Sequence, residues 1–179
     1  MKIKGLPAIV IFLALVFIFQ SLVYAQKSSS VMSEHVDSAG VKAITIHQEI
    51  NFGVGPDLLY QALLSSEQFS ACTKKSFDMF TASSAKIDAR EGGSFSLFDG
   101  HIIGRILELV PNKRIVEAWR VVDWPEGVYS IARFDLEPKG TGTQLRFEHI
   151  GFPEGLKEHL AGGWQQHYWD ALNRYFQGH

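Results

Sequence analysis

The sequence predicts an α+β domain in which one antiparallel sheet is covered by a long C-terminal helix, in the order strand, two helices, six strands, helix. Two observations carry this expectation. Between residues 85 and 150, short apolar stretches are separated by turn residues, and links so short require antiparallel neighbours. From Trp164 to Gln177, Trp164, Tyr168, Ala171, Leu172 and Tyr175 recur at spacings of three and four, which makes one wide apolar stripe on a helix. A sheet with an apolar face needs a cover, and that helix supplies it.

The chain begins with a different kind of segment. Lys2 and Lys4 precede an apolar run from Ala8 to Phe19, and Val23-Tyr24-Ala25 offers a cleavage site after Ala25. Residues 1–25 are therefore expected to be an export signal, leaving a periplasmic or secreted protein. The alternative is an uncleaved anchor, since residues 6–25 are about long enough to span a bilayer. Gln20 and Ser21 shorten the apolar part and favour cleavage. Residues 26–40, with Ser28-Ser29-Ser30, read as a flexible spacer. The folded domain is expected over 41–179.

Val41 to Ile50 alternates in part, as a half-buried strand does. Pro56-Asp57 opens a helix carrying Leu58, Leu59, Ala62 and Leu63, because proline fits the first turn and aspartate suits its positive end. A second short helix is expected over Phe69 to Lys75. Strands then follow over Ala85 to Arg90, Ser94 to Phe98, His101 to Val110, Arg114 to Val122, Tyr129 to Glu137 and Thr143 to Ile150. Asp99-Gly100 predicts a two-residue hairpin turn with positive φ at both positions. Gly162-Gly163 predicts a break between a short helical turn over Leu156 to Ala161 and the long final helix.

Composition narrows the function. The chain is 46% apolar and 20% charged, with a net charge of −2 that becomes −4 without residues 1–25, which hold Lys2 and Lys4 and no acid. A mildly acidic domain lacks the basic footprint that nucleic acid demands. The single cysteine, Cys72, makes no disulfide within the chain and reads as a small buried side chain. The seven histidines (His35, His47, His101, His149, His159, His167 and His179) include no pair at the helical spacing of a zinc motif, so neither metal nor cofactor is expected. No nucleophile elbow, phosphate loop or dinucleotide fingerprint occurs, so no catalytic residue is assigned. Glu148 and His149, adjacent on a strand, point to opposite faces and cannot act as a pair. The strand charges Arg105, Glu108, Glu117, Arg120, Arg133, Asp135, Arg146 and Glu148 are expected to pair across the solvent face. Any one of them turned inward would mark a polar anchor for a ligand.

Motifs in the second half point to a family. Phe98-Asp99-Gly100-His101-Ile102-Ile103-Gly104, Leu109-Val110-Pro111, Ile115-Val116 with Trp119-Arg120, Trp124-Pro125-Glu126-Gly127, Gly151-Phe152-Pro153 and Gly163-Trp164-Gln165-Gln166, ending in Tyr168 and Phe176, occur in order over about eighty residues. Together they resemble the C-terminal domain of the activator of heat-shock protein 90 ATPase. The resemblance implies the SRPBCC, or START-like, helix-grip fold, in which a curved antiparallel sheet wraps a long C-terminal helix. It also implies a cavity between sheet and helix that in this superfamily often accepts apolar small molecules.

Trp119, Tyr129, Phe147, Trp164 and Tyr168 are then the candidate cavity-lining residues, with core packing as their competing role. Three functions stay open: a module binding an apolar or amphipathic small molecule, a co-chaperone or other protein-interaction domain, and an enzyme with a cavity site no motif reveals. Export would part a co-chaperone from its usual partner and from ATP, whereas a membrane association follows only if the signal stays uncleaved.

Overall fold

A computed structural model describes residues 44–74 and 84–178. The expected signal and spacer, residues 1–25 and 26–40, lie outside the described residues. The described chain forms a seven-stranded, wholly antiparallel sheet in the order β1-β7-β6-β5-β4-β3-β2. The strands are β1 (Thr45–Phe52), β2 (Lys86–Ile87), β3 (Ser94–Leu97), β4 (Ile102–Val110), β5 (Arg114–Val121), β6 (Ser130–Lys139) and β7 (Gly142–Ile150). Two short helices, α1 (Pro56–Leu64) and α2 (Ser66–Thr73), follow β1. The C-terminal helix covers the inner face of the sheet, which makes this the expected helix-grip arrangement, with the elements in the expected order.

Alternation explains the sheet. In β7, Thr143, Leu145, Phe147 and His149 are buried while Arg146 and Glu148 are not, and β5 buries Ile115, Glu117 and Trp119 on one face. The outer face carries cross-strand ion pairs such as Arg114–Asp135 at 2.6 Å and Arg146–Glu137. Leu107 is an extra residue between Ile106 and Glu108 opposite β5, and such a bulge adds the local bend a wrapped sheet needs.

Several expectations are corrected. The second helix begins earlier, at Ser66 rather than Phe69, because the Ser65 hydroxyl caps it by accepting from the Gln68 N–H at 3.2 Å. The strand expected over Ala85 to Arg90 is only Lys86–Ile87. The β3–β4 turn is wider than two residues: Phe98, Asp99 and Gly100 all have positive φ, at 51°, 55° and 92°. Asp99 secures it by accepting from the Ser84 amide and hydroxyl.

The largest correction concerns the last helix. Gly162-Gly163 does not break it. Helical backbone runs from α3 (Lys157–Gly163) through a π-helical turn (Trp164–Trp169) into α4 (Asp170–Gln177). A π-turn, with hydrogen bonds from i to i+5, brings residues five apart together. Trp169, off the stripe at ordinary helical spacing, is thereby fully buried and stacked on Trp164, ring centroids 5.6 Å apart. The Gln48 amide from β1 ties α3 to the end of this turn, donating to the Ala161 carbonyl at 3.1 Å and accepting from the Trp169 indole at 2.8 Å.

Candidate functional site

Beneath the helix, a buried hydrogen-bond chain crosses three strands. The Ser130 hydroxyl on β6 donates to the Trp119 carbonyl on β5 at 2.9 Å and lies 2.6 Å from His149 Nε2 on β7. The Trp164 indole donates to His149 Nδ1 at 3.0 Å. An indole N–H only donates, so Nδ1 is the acceptor and the neutral ring carries its proton on Nε2, where it donates to Ser130. Burial pushes the His149 pKa down to about 3, which keeps the ring neutral. His149 therefore has no free lone pair to take the Ser130 proton, and the pair cannot work as a nucleophile and its base. It orients Trp164 instead.

On one side of Trp164 the helix and sheet do not close completely, leaving a cavity of about 570 Å³. Its apolar walls come from Phe98 and Ile102, from Trp119 and Val121 on β5, and from Leu160, Trp164 and Tyr168 on the helix. His101, Glu158, His159, Gln166 and His167 add polar groups. Gly162 and Gly163 complete the helix side, where a Cβ at Gly162 would meet nothing within 4 Å. Each glycine costs a helix interior about 1 kcal/mol relative to alanine, and both stand on the cavity wall. Phe98, 1% exposed, holds the opposite wall from a left-handed backbone conformation that is strained for a bulky residue.

The five expected lining residues part company. Trp119, Trp164 and Tyr168 stand on the cavity wall. Phe147 lies deeper, fully buried against Trp164 at a centroid distance of 4.3 Å. Tyr129 is 46% exposed and lies over the Arg120 guanidinium, 5.5 Å from its ring centroid. Arg120 itself turns inward on the loop side, donating to the carbonyls of Val121, Val122 and Trp124 to hold the β5–β6 connection.

The residue that sequence reasoning left among the solvent-face charges is Glu117. It sits on the inner face of β5, two residues before Trp119, opposite Ile106 and Ala132. Alternation with Ile115 and Trp119 was the signal that could have placed it there. Among the described residues its carboxyl has no hydrogen-bond partner, and desolvation pushes its pKa up to about 8. The Tyr168 hydroxyl, also buried, is pushed further toward its neutral form, chiefly by burial and secondarily by Glu117, with the Trp119 indole opposing. The Trp119 indole and the Tyr168 hydroxyl are each other's nearest polar partners, and neither makes a hydrogen bond of ordinary geometry among the described residues. The site thus joins apolar walls to the polar groups of His101, Glu158, His159, Gln166 and His167, with Glu117 buried behind Trp119 and Tyr168 rather than on the lining. Cys72, buried with its pKa raised to about 12, offers no reactive thiolate.

A curved antiparallel sheet gripping a helix over a partly open cavity defines a helix-grip protein. Residues 54–177 match the family described as Activator of Hsp90 ATPase homolog 1-like protein, and the chain belongs to that family. It is 32% identical over 139 residues to the human protein named Activator of 90 kDa heat shock protein ATPase homolog 1, covering 76% of this chain and 39% of that one. The chain thus spans well under half the length of this relative. Among solved structures it is similar to an HSP90 activator from Plasmodium falciparum, with a TM-score of 0.67 and 25% identity over 75% of this chain and 96% of that one. It is also similar to CalU16 from Micromonospora echinospora, with a TM-score of 0.60 and 26% identity over 74% of this chain and 76% of that one.

Proposed function

We propose that this chain is an exported, non-catalytic member of the family that holds an apolar or amphipathic small molecule in the cavity between sheet and helix. The observation that carries this reading is the cavity itself: about 570 Å³, walled by aromatic and aliphatic side chains, with a few polar groups from His101, Glu158, His159, Gln166 and His167. Volumes of this order with a few convergent polar groups suit small-molecule sites. The absence of a usable base beside Ser130 supports a binding role over a nucleophilic one. The start of the chain, with Lys2, Lys4 and the apolar run to Phe19, supports export.

Native mass spectrometry of the protein purified from a secreting host tests both parts at once. The expected spectrum shows a polypeptide beginning at Gln26 that carries the added mass of a small molecule. A bare polypeptide that also takes up no apolar probe would count against binding, and a mass retaining residues 1–25 would count against cleavage.

A second reading, interaction with a chaperone, is favoured by the names of the relatives, which are activators of a heat-shock protein ATPase. Because the chain spans so little of those relatives, the reading needs its own test. It expects the purified domain to raise the ATPase rate of the heat-shock protein 90 from the same organism. An unchanged rate across a concentration series excludes it.

A further inference from the structure

The polar side chains of the cavity gather at its open side. Leu160, Trp164 and Tyr168 are buried, whereas Glu158, His159 and Gln166 on the same helical stretch are exposed and His101 and His167 are half-buried. The apolar lining therefore forms the interior and the polar lining the mouth. Because Gly162-Gly163 does not break the helix, His159, Gly163 and His167 follow at spacings of four, and all three line the cavity. A Cβ at Gly163 would stand 4.0 Å from His167 Cδ2, so that ring lies back along the helix toward the glycine. It also meets Phe98 of the facing wall edge-on, at a centroid distance of 6.4 Å. His101 comes from that facing wall, one residue before Ile102. Three histidines thus converge on one opening from two sides.

An imidazole changes its charge between about pH 5 and 8, whereas a carboxylate keeps its charge above about pH 5. With the rings neutral, the mouth carries only the negative charge of Glu158; with the rings protonated, three positive charges stand against that one. No lysine or arginine lines the cavity, and Tyr168, the remaining titratable residue on its wall, has its hydroxyl buried. Four charged residues lie next to the lining but not on it. Asp99 and Asp123 flank His101, Lys157 precedes Glu158, and Asp170 follows the π-turn. Of these, Asp99 is engaged by Ser84 and Asp170 by Gln165.

We infer that this cavity takes an amphipathic carboxylic acid, its carboxylate held at the mouth by His101, His159 and His167 and its apolar body inside, and that acidification tightens the hold. This rests on the small-molecule reading above and names the ligand class. A carboxylate accepts from several donors at once, and a protonated imidazole donates from both nitrogens. The Gln166 amide adds a donor that does not titrate. A dianionic head fits less well, because it would face Glu158 without the fixed charge of an arginine or lysine. An ammonium head finds Glu158, but protonation of the three imidazoles repels it.

The test is a titration of the purified protein, followed by tryptophan fluorescence at about pH 7.5 and about pH 5.5, which bracket imidazole protonation. The probes share one ring system: naphthoate, naphthol, naphthylmethylamine and naphthyl phosphate. Naphthoate should bind about tenfold or more tighter at the lower pH, naphthylmethylamine should weaken, and neutral naphthol, which reports any general effect of pH on the cavity, should barely change. The combined His101→Gln, His159→Gln and His167→Gln variant should lose the naphthoate gain and keep naphthol binding. Glu158 and His159 are exposed, so Glu158→Gln and His159→Gln test the mouth without burdening the fold. The first should tighten naphthoate at the higher pH, and the second should reduce the gain on acidification. A naphthoate affinity that does not rise on acidification, a rise that naphthol shares, or a response unchanged in these variants would overturn the carboxylate assignment, while naphthol binding leaves the cavity a site. Tighter binding of naphthyl phosphate than of naphthoate at the lower pH would replace the carboxylate by a phosphate ester. If neither naphthol nor naphthoate binds at either pH, the small-molecule reading itself falls, and this inference with it.

Discussion

A carboxyl at position 117 must give up its water when the sheet folds around the helix, and nothing among the described residues takes the place of that water. The pH dependence of stability follows. With its pKa raised from 4.5 to about 8 in the folded chain, Glu117 costs nothing below pH 4.5, where both states are protonated. Between pH 4.5 and about 8 only the unfolded chain ionises, so stability falls as pH rises through that window. His149 acts in the opposite sense: its pKa, lowered from 6.5 to about 3, leaves stability intact above 6.5 and removes it as pH falls toward 3. The two slopes oppose each other between 4.5 and 6.5. Thermal unfolding should therefore show a broad maximum there and a decline from pH 6.5 to 8, and Glu117→Gln should abolish that decline while leaving the acid limb. An alkaline decline of equal size in the variant would show that Glu117 is not buried as described. Trp164, 2% exposed and bonded to His149, makes the second prediction at this scale: Trp164→Ala should cost about 3 to 5 kcal/mol in denaturant unfolding. A loss below about 1 kcal/mol would mean that the helix is not gripped there.

The C-terminal helix shows why a periodic pattern is an incomplete guide to an element. Spacings of three and four found Trp164, Tyr168, Ala171 and Leu172, all of which are buried. They missed Trp169, because the π-turn that draws it onto the stripe is held by Gln48, which is 121 residues distant in sequence. Gly162-Gly163 carries an ordinary breaker signal, yet both residues are helical and stand on the cavity wall. A leucine at Gly162 meets no atom at its Cβ and has the better helix propensity. Gly162→Leu should thus leave the melting temperature unchanged or raised while weakening, by about tenfold or more, the binding of an apolar aromatic probe such as naphthol at the cavity. A loss of stability, or undiminished affinity, would contradict the placement of this glycine on the cavity wall. In the sheet the alternation that sends Glu148 and His149 to opposite faces was legible directly, whereas Glu117 was left with the solvent-face charges although its alternation with Ile115 and Trp119 places it inside. Tyr129 was not: its ring is drawn to Arg120, whose turn toward the loop carbonyls no strand pattern announces.

At the scale of the molecule, family membership and a helix-grip fold leave both a ligand and a protein partner open, and the chemistry of the cavity is what supports the proposed ligand. The turn motifs and the final apolar stripe made the architecture readable, since hairpin links and a covering helix are local features. The site was readable only in part. Its aromatic walls follow from composition and spacing, whereas the neighbourhood of Trp119, Glu117 and the Tyr168 hydroxyl arises only when β5 and the helix meet. The central claim is that a small molecule occupies this cavity. The most direct measurement is the indole N–H region of a proton–nitrogen correlation spectrum during titration with an apolar aromatic probe such as naphthol, because Trp119 and Trp164 stand on the cavity wall whereas Trp169 is buried away from it. The account predicts saturable shifts of the Trp119 and Trp164 indole signals, larger than that of Trp169. Trp119 and Trp164 signals that stay in place at saturating probe would contradict it.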